Sequence, residues 1–470
     1  MTADKTPAAE APKGQDGMDA VETLRYQGSD PDGTLKMLLT ERKSYVFSLF
    51  LFIREIDVKG WIAMSKTGFS AADILLPAKG KYETWAVVAC DQFTSQPEYW
   101  ERVEATVGND PSTFRIILPE AQLSDGHTEE HIDKINATMK EYLESGVFKE
   151  YPDAMIYLER VQSDGKIRRG LIGKIDLEEY DYSKGSTSLV RATEGTVLER
   201  IPPRQAVRRN APIELPHVML LIDDVDNTVI GPLAACEDVI YDFDLMEGGG
   251  HAKAWLVLDD LKEGACKALE ALADAQPLLF AVGDGNHSLA SAKALYEEEK
   301  AKFGPGSENT LPSRYALVEI VNLYDDALEF EPIHRVLFDV DPEALLKAFK
   351  EEYPSTVDGK AEGHVIRYAY EGADGYITVT EPKAQLEVGT LQSFLDKYIK
   401  EHGIGIDYVH GDEITIELGS KPGCMAFLLP AMDKGDLFKS VINDGALPRK
   451  TFSMGHAEDK RYYIEARKIK

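Results

Sequence analysis

The stretch Leu278-Leu-Phe-Ala-Val-Gly-Asp-Gly-Asn-His-Ser-Leu-Ala-Ser-Ala-Lys293 leaves a folding chain few options. Its short apolar run reads as a buried strand ending at Val282, because it is too brief for an ordinary buried helix. Gly283 and Gly285 then release the backbone, and a helical pattern starts near Ser288. A strand that turns directly into a helix belongs to a sheet with helices packed against it.

The same alternation runs along much of the chain. Trp85-Ala-Val-Val-Ala-Cys90 reads as a strand, and Ser95-Gln-Pro-Glu98 supplies a capping box for a helix through Val107. A second helix is expected from about Thr128 to Ser145, and His217–Ile222 reads as a strand. Val365–Tyr370 and Tyr376–Thr380 flank Gly372-Ala-Asp-Gly375 as a hairpin. The expected class is α/β or α+β, with mixed sheets and flanking helices. Three segments are expected. Residues 1–63 form a disordered or non-core extension, 64–335 an α/β body carrying the glycine turn, and 336–470 a C-terminal α+β portion packed on the body.

Charge narrows the function. The chain holds 52 Lys and Arg against 81 Asp and Glu, a formal charge of −29. That balance argues against coating nucleic acid or docking on anionic membranes, both of which need clustered cations. Cys90, Cys236, Cys266 and Cys424 form no CxxC pair, which fits a reducing cytoplasm. The most lipid-like run, Tyr45–Ile53, is far shorter than the roughly 20 residues a spanning helix needs. A cytoplasmic protein is expected. Against this acidic background stand two basic islands. Residues 160–209 carry eleven Lys and Arg against seven acids, and residues 447–470 carry seven against three. They suggest one anion site approached from both segments, the alternative being ordinary salt bridging.

The glycine turn is the natural centre of such a site. Amides at the start of a helix and the helix dipole attract anions, and glycines let the backbone approach a phosphate. Gly283, Gly285, Asn286 and Ser288 would line the phosphate, while Asp284 and His287 add acid/base capacity. The alternative is a plain strand-to-helix turn. Arg191, Arg200 and Arg204 could clamp phosphate in bidentate fashion, and Glu194 among them would stay ionised, able to accept a hydroxyl proton or hold Mg²⁺. Arg449 and His456 of the C-terminal island could close over the site. Asp91, at a strand's carboxyl end, and His334 are further candidates. No metal ligand set can be named.

Gly283-Asp-Gly-Asn-His-Ser-Leu289, Ala89-Cys-Asp-Gln-Phe-Thr-Ser-Gln-Pro-Glu-Tyr-Trp100, Val190-Arg-Ala-Thr-Glu-Gly-Thr196 and Leu447-Pro-Arg-Lys-Thr-Phe-Ser-Met-Gly-His456 together resemble the bacterial family named domain of unknown function 1015. Many members look to carry Asp-Gly-His-His-Arg where this chain has Asp284-Gly-Asn-His-Ser288. That version resembles the phosphate-binding Gly-x-His-Arg loop of the ParB/sulfiredoxin superfamily, which includes CTP-binding partition proteins, ATP-using sulfiredoxins and free serine kinases. The resemblance implies a ParB/sulfiredoxin-like phosphate-loop core, and it carries over at Gly285 and His287. It departs at Ser288, which brings no positive charge, so Arg191 is expected to fill that space, with Arg449 as second choice.

Two functions are expected on these grounds. The first is a phosphate-handling enzyme, a kinase or phosphatase on a small amino- or hydroxy-acid such as serine or phosphoserine, using a nucleotide and Mg²⁺. The second is a nucleotide-binding regulator without turnover. In either case the expected partner is a small phosphorylated metabolite or a nucleotide.

Overall fold

The computed structural model describes residues 66–78, 81–122, 127–195, 201–215 and 218–470, all within one unit, Met64–Lys470. The expected N-terminal extension and its Tyr45–Ile53 run lie outside the described residues. Two large sheets, a small two-stranded one and a set of flanking helices make a mixed α/β fold among the described residues. No helix among the described residues is long and apolar enough to cross a membrane.

The first sheet is built on β1 (Ala72–Pro77), β2 (Phe148–Val161), β3 (Ile167–Asp176), β4 (Val190–Ala192), β5 (Met219–Ile222), β6 (Phe280–Asp284) and β7 (Tyr315–Asn322). Across the sheet their order is β4-β6-β5-β7-β3-β2-β1. β6 runs parallel to β4 and antiparallel to β5, and β7 runs parallel to β5. The sheet is therefore mixed. Phe280, Ala281 and Val282 are fully buried at its centre, so the apolar run has its expected place.

The helices of this part include α1 (Pro97–Val107), α2 (Thr128–Glu144), α3 (Ile201–Arg209) and α4 (Asn286–Phe303). α3 packs against α4. α2 starts where its pattern predicts, with Ile132, Ile135, Met139 and Tyr142 buried at helical spacing. α1 departs from expectation at its cap. Its first residue is Pro97, which makes Gln96 rather than Ser95 the N-cap, and no side chain bonds there. Proline fixed the start one residue later than a capping box requires.

Trp85–Cys90 also differs from expectation. Only Val87–Val88 is strand, because Tyr82–Trp85 forms a helical turn that buries the Trp85 ring, whose Nε1 donates to the Ile464 carbonyl at 2.8 Å.

The second sheet is built on β8 (Phe330–Phe338), β9 (His364–Tyr370), β10 (Ala373–Val379), β11 (Gly405–His410) and β12 (Cys424–Leu428), joined by antiparallel pairings. β9 and β10 form the expected hairpin, but Tyr370 faces Ala373, so the turn is Glu371-Gly372 with Gly372 at φ +74. Gly375 is strand instead of turn. A β-carbon there would sit 2.5 Å from the Tyr368 hydroxyl oxygen, so this glycine makes room for the ring across the ladder.

The chain then returns to the first sheet. β13 (Ala466–Lys468) pairs with both β1 and Ile213–Glu214, while Tyr462–Tyr463 and Val87–Val88 form a separate two-stranded sheet.

Candidate functional site

β6 ends at Asp284 and α4 begins at Asn286, two residues earlier than the pattern near Ser288 predicts. Gly285 makes the abrupt change possible. It sits at φ +80 as the N-cap of α4, and no side chain caps the helix. Gly283 is required for a different reason. A β-carbon there would lie 2.8 Å from Leu221 Cγ and 3.2 Å from Met454 Cε, so β5 and the C-terminal segment press on the turn. The first-turn amides of Asn286, His287 and Ser288 thus begin a helix of 18 residues whose dipole is positive at this end.

The Val190–Thr196 motif is held against this turn. Thr193 Oγ1 donates to the Val282 carbonyl at 2.6 Å, and the Thr193 carbonyl accepts the Leu447 amide at 2.7 Å. Glu194 pairs through its backbone with Leu447. The Asn286 side chain is 6% exposed; its Nδ2 lies 3.4 Å from Thr193 Oγ1 and 3.3 Å from the Val282 carbonyl. Its Oδ1 is buried and has no hydrogen-bond partner among the described residues. Asp284 Oδ1 accepts the Gly285 amide at 2.8 Å, and Oδ2 lies 3.3 Å from Lys460 Nζ. His287 is half-buried, and its carbonyl takes the Ser291 hydroxyl at 2.7 Å. So Asp284, Gly285, Asn286, His287, Thr193 and Glu194 belong to one neighbourhood, with the C-terminal island touching it through Lys460 and Leu447.

Arg204 reaches it from α3. Arg204 and Ser288 line the same cavity, and an ion pair with Glu120 holds the guanidinium there. Cys90 also lines that cavity; Tyr463 donates its hydroxyl to the sulfur at 3.2 Å. Burial, helped by the charge of Asp91, pushes the Cys90 thiol up to about 12. Burial therefore favours the thiol over the thiolate, the reactive form. Asp91 follows it in the chain and accepts the Gln92 side-chain amide at 2.9 Å.

Arg191 does not fill the space beside Ser288. It is 5% exposed, and its guanidinium donates to the carbonyls of Ser188 at 2.8 Å and Pro277 at 2.7 Å. Parallel pairing sets Arg191 beside Ala281, and its side chain turns back to the residues before β6, away from the glycine turn. The second choice fails as well. The Arg449 guanidinium lies 5.8 Å over the Tyr408 ring, and its carbonyl accepts from Arg335 at 3.3 Å, both on the second sheet.

His334 is no anion contact either. Its Nδ1 accepts the Leu429 amide at 3.1 Å and its Nε2 pairs with Asp412 at 3.0 Å, so both ring nitrogens are engaged. His456 is exposed and caps the short turn Ala457–Asp459 that leads to Lys460. Arg200 lies outside the described residues.

Sequence reasoning missed Thr193, Glu120 and Lys460. Thr193 stood inside a motif already singled out for Arg191 and Glu194, and the alternation of a strand would have turned it opposite to its neighbours. Glu120 and Lys460 carried no local signal. As for metals, no group of three His, Cys, Asp or Glu side chains gathers among the described residues.

A family model described as protein of unknown function (DUF1015) matches residues 72–398. Similar solved structures include a free serine kinase in complex with AMP, 12% identical with a TM-score of 0.36, covering 62% of this chain and 91% of that chain. SbnI with a C-terminal truncation, from Staphylococcus aureus, is 10% identical with a TM-score of 0.33, covering 60% and 82%. A conserved hypothetical protein from Pyrococcus furiosus is 12% identical with a TM-score of 0.32, covering 62% and 97%. No curated protein matches the chain in sequence.

Proposed function

The chain belongs to that family of unknown function, DUF1015, and from this premise we propose that it is an enzyme moving phosphate to or from a small organic acid at the N-terminus of α4. One observation carries the reading: the uncapped first turn behind Gly285 opens beside a cavity that Ser288 shares with Arg204. Phosphoryl transfer needs an anion cradle, positive charge and positioning more than a special nucleophile. The amides of Asn286, His287 and Ser288 are the cradle. Arg204 is the planar cation that the related loop carries next to its histidine and that Ser288 lacks, and the sequence likeness of Gly285 and His287 to the ParB/sulfiredoxin loop agrees with this.

His287, Asp284 and Glu194 are the acid/base candidates, and Lys460 holds the Asp284 carboxylate at the rim. Glu120 holds Arg204 until a phosphate oxygen replaces it. A nucleotide is the proposed phosphate donor or acceptor, with Mg²⁺ travelling on it.

The test is direct. Purified protein is incubated with ATP, ADP or CTP and a panel of amino- and hydroxy-acids, or with their phosphate esters, and followed by phosphorus NMR. New phosphate ester or released phosphate, abolished in Arg204→Gln, supports the proposal. Nucleotide binding without turnover across the panel would turn the reading to a regulator, and absence of both would end it.

A further inference from the structure

The cavity shared by Ser288 and Arg204 extends well beyond the phosphate end. Its volume is about 160 Å³. A cavity of about 150 Å³ walled by aliphatic side chains accommodates benzene. Most of this one is walled in the same way, by Ile116, Leu118, Met139, Ile213 and Leu215, every one of them buried. A serine side chain or a phosphate has nothing to place there.

The remaining lining is charged: Arg204 with its partner Glu120, and Arg208 with Glu214. Arg208 stands one turn after Arg204 on α3, on the same face, and forms an ion pair with Glu214. Glu214 is already used twice, because its Oε1 accepts the Leu317 amide at 2.9 Å and Arg467 Nε at 2.8 Å. Two guanidiniums therefore share one buried carboxylate. Arg208 Nε is itself buried and has no acceptor among the described residues. A buried donor left without a partner calls for an acceptor, and on a guanidinium an anionic acceptor makes the stronger bond.

We infer that this cavity binds the acid substrate, and that the substrate is a carboxylic acid with an apolar body about the size of a six-membered ring. Its carboxylate meets Arg208, its branched aliphatic or phenyl group fills the space between α2, α3 and α4, and its hydroxyl or phosphoester faces Ser288. The assignment rests on the proposed phosphate site for the orientation of the reacting end; the cavity and its guanidinium stand without it. It replaces serine with an apolar 2- or 3-hydroxy acid as the substrate class.

Calorimetric titration of the full chain with 3-phenyllactate, 2-hydroxy-4-methylpentanoate, glycolate and L-serine tests it. The two apolar acids should bind at least tenfold more tightly than the other two. Arg208→Gln should abolish the preference for 3-phenyllactate over 3-phenyllactamide, and Ala292→Leu, which narrows the cavity, should weaken 3-phenyllactate alone. Fluorine NMR of a fluorinated phenyllactate on unaltered protein gives a readout that does not depend on either variant folding. Equal affinity for all four acids, or an amide binding as tightly as its acid, overturns the inference. Pyrophosphate titration separates it from the phosphate reading. Pyrophosphate binding that ignores Arg204→Gln, with apolar acids still bound, removes the phosphate site and leaves the cavity assignment in place. The reverse pattern removes the cavity assignment alone.

Discussion

The Lys460 ammonium lies 3.3 Å from Oδ2 of Asp284, joining the C-terminal basic island to the glycine turn by an ion pair. Both groups are mostly shielded, at 19% and 24% side-chain exposure, so salt screens this contact less than it would a surface pair. Lys460→Met leaves Asp284 as an uncompensated anion at the rim of the proposed phosphate site. Pyrophosphate affinity should fall roughly three- to tenfold, in line with the loss of about 1 kcal/mol from a partly buried pair. Titration calorimetry of the variant at two salt concentrations checks this.

Arg191 and Arg204 should separate cleanly. Arg191→Lys loses a fork that bonds two backbone carbonyls and should cost about 1–3 kcal/mol of stability, with phosphate-ligand affinity unchanged. Arg204→Lys should do the opposite. It keeps the charge but loses bidentate geometry, and phosphate affinity should drop about tenfold with a smaller effect on melting. Denaturant unfolding and titration of both proteins decide the matter.

Stability should fall as pH drops below neutrality, and His334 is one cause. Burial lowers its pKa from the ordinary value, while Asp412 works in the opposite sense and Arg335 and His410 add to the lowering. The unfolded chain therefore takes up a proton before the folded one does, so stability rises with pH across the window just below the ordinary histidine value and is fully present above it. The bonding explains the direction, since a protonated Nδ1 would face the Leu429 amide it now accepts. His364, also lowered by burial and bonded at Nδ1 to Thr390 Oγ1 at 2.9 Å, acts in the same sense. Thermal unfolding between pH 7 and pH 5 should show the loss, and His334→Gln should flatten the slope. An unchanged slope in that variant would remove His334 from the account.

A chain beginning at Met64 should fold and melt like the longer one, because the described strands pair within Met64–Lys470. A loss of several kcal/mol would place Tyr45–Ile53 in a core. Calorimetric melting of both lengths gives the answer.

Local patterns were legible where local forces decide. The α2 stripe, the β9–β10 pairing and the strand–turn–helix at Phe280–Phe303 all follow from apolar periodicity and glycine. What the sequence concealed depends on partners far along the chain. Gly375 reads as a turn residue, yet its role is to admit the Tyr368 ring, which only the strand register reveals. Arg191 reads as an anion clamp, yet the parallel pairing of β4 with β6 sets which end of the strand its guanidinium reaches. Lys460 carried no motif because its partner is Asp284, distant in sequence. The sequence offered Arg204 as one of three candidate arginines but favoured Arg191, which the Ser188 and Pro277 carbonyls hold elsewhere.

The return of the chain's last strand has a consequence for biosynthesis. β13 covers β1, and Arg467 within it holds Glu214 in the cavity wall. Residues 466–468 leave the ribosome long after β1 and Ile213–Glu214 have emerged. The growing chain must therefore carry an uncovered strand edge and a buried-to-be carboxylate through most of its synthesis, with the risk of intermolecular pairing that open edges bring. The cavity wall cannot reach its final form until residues 466–468 have been made.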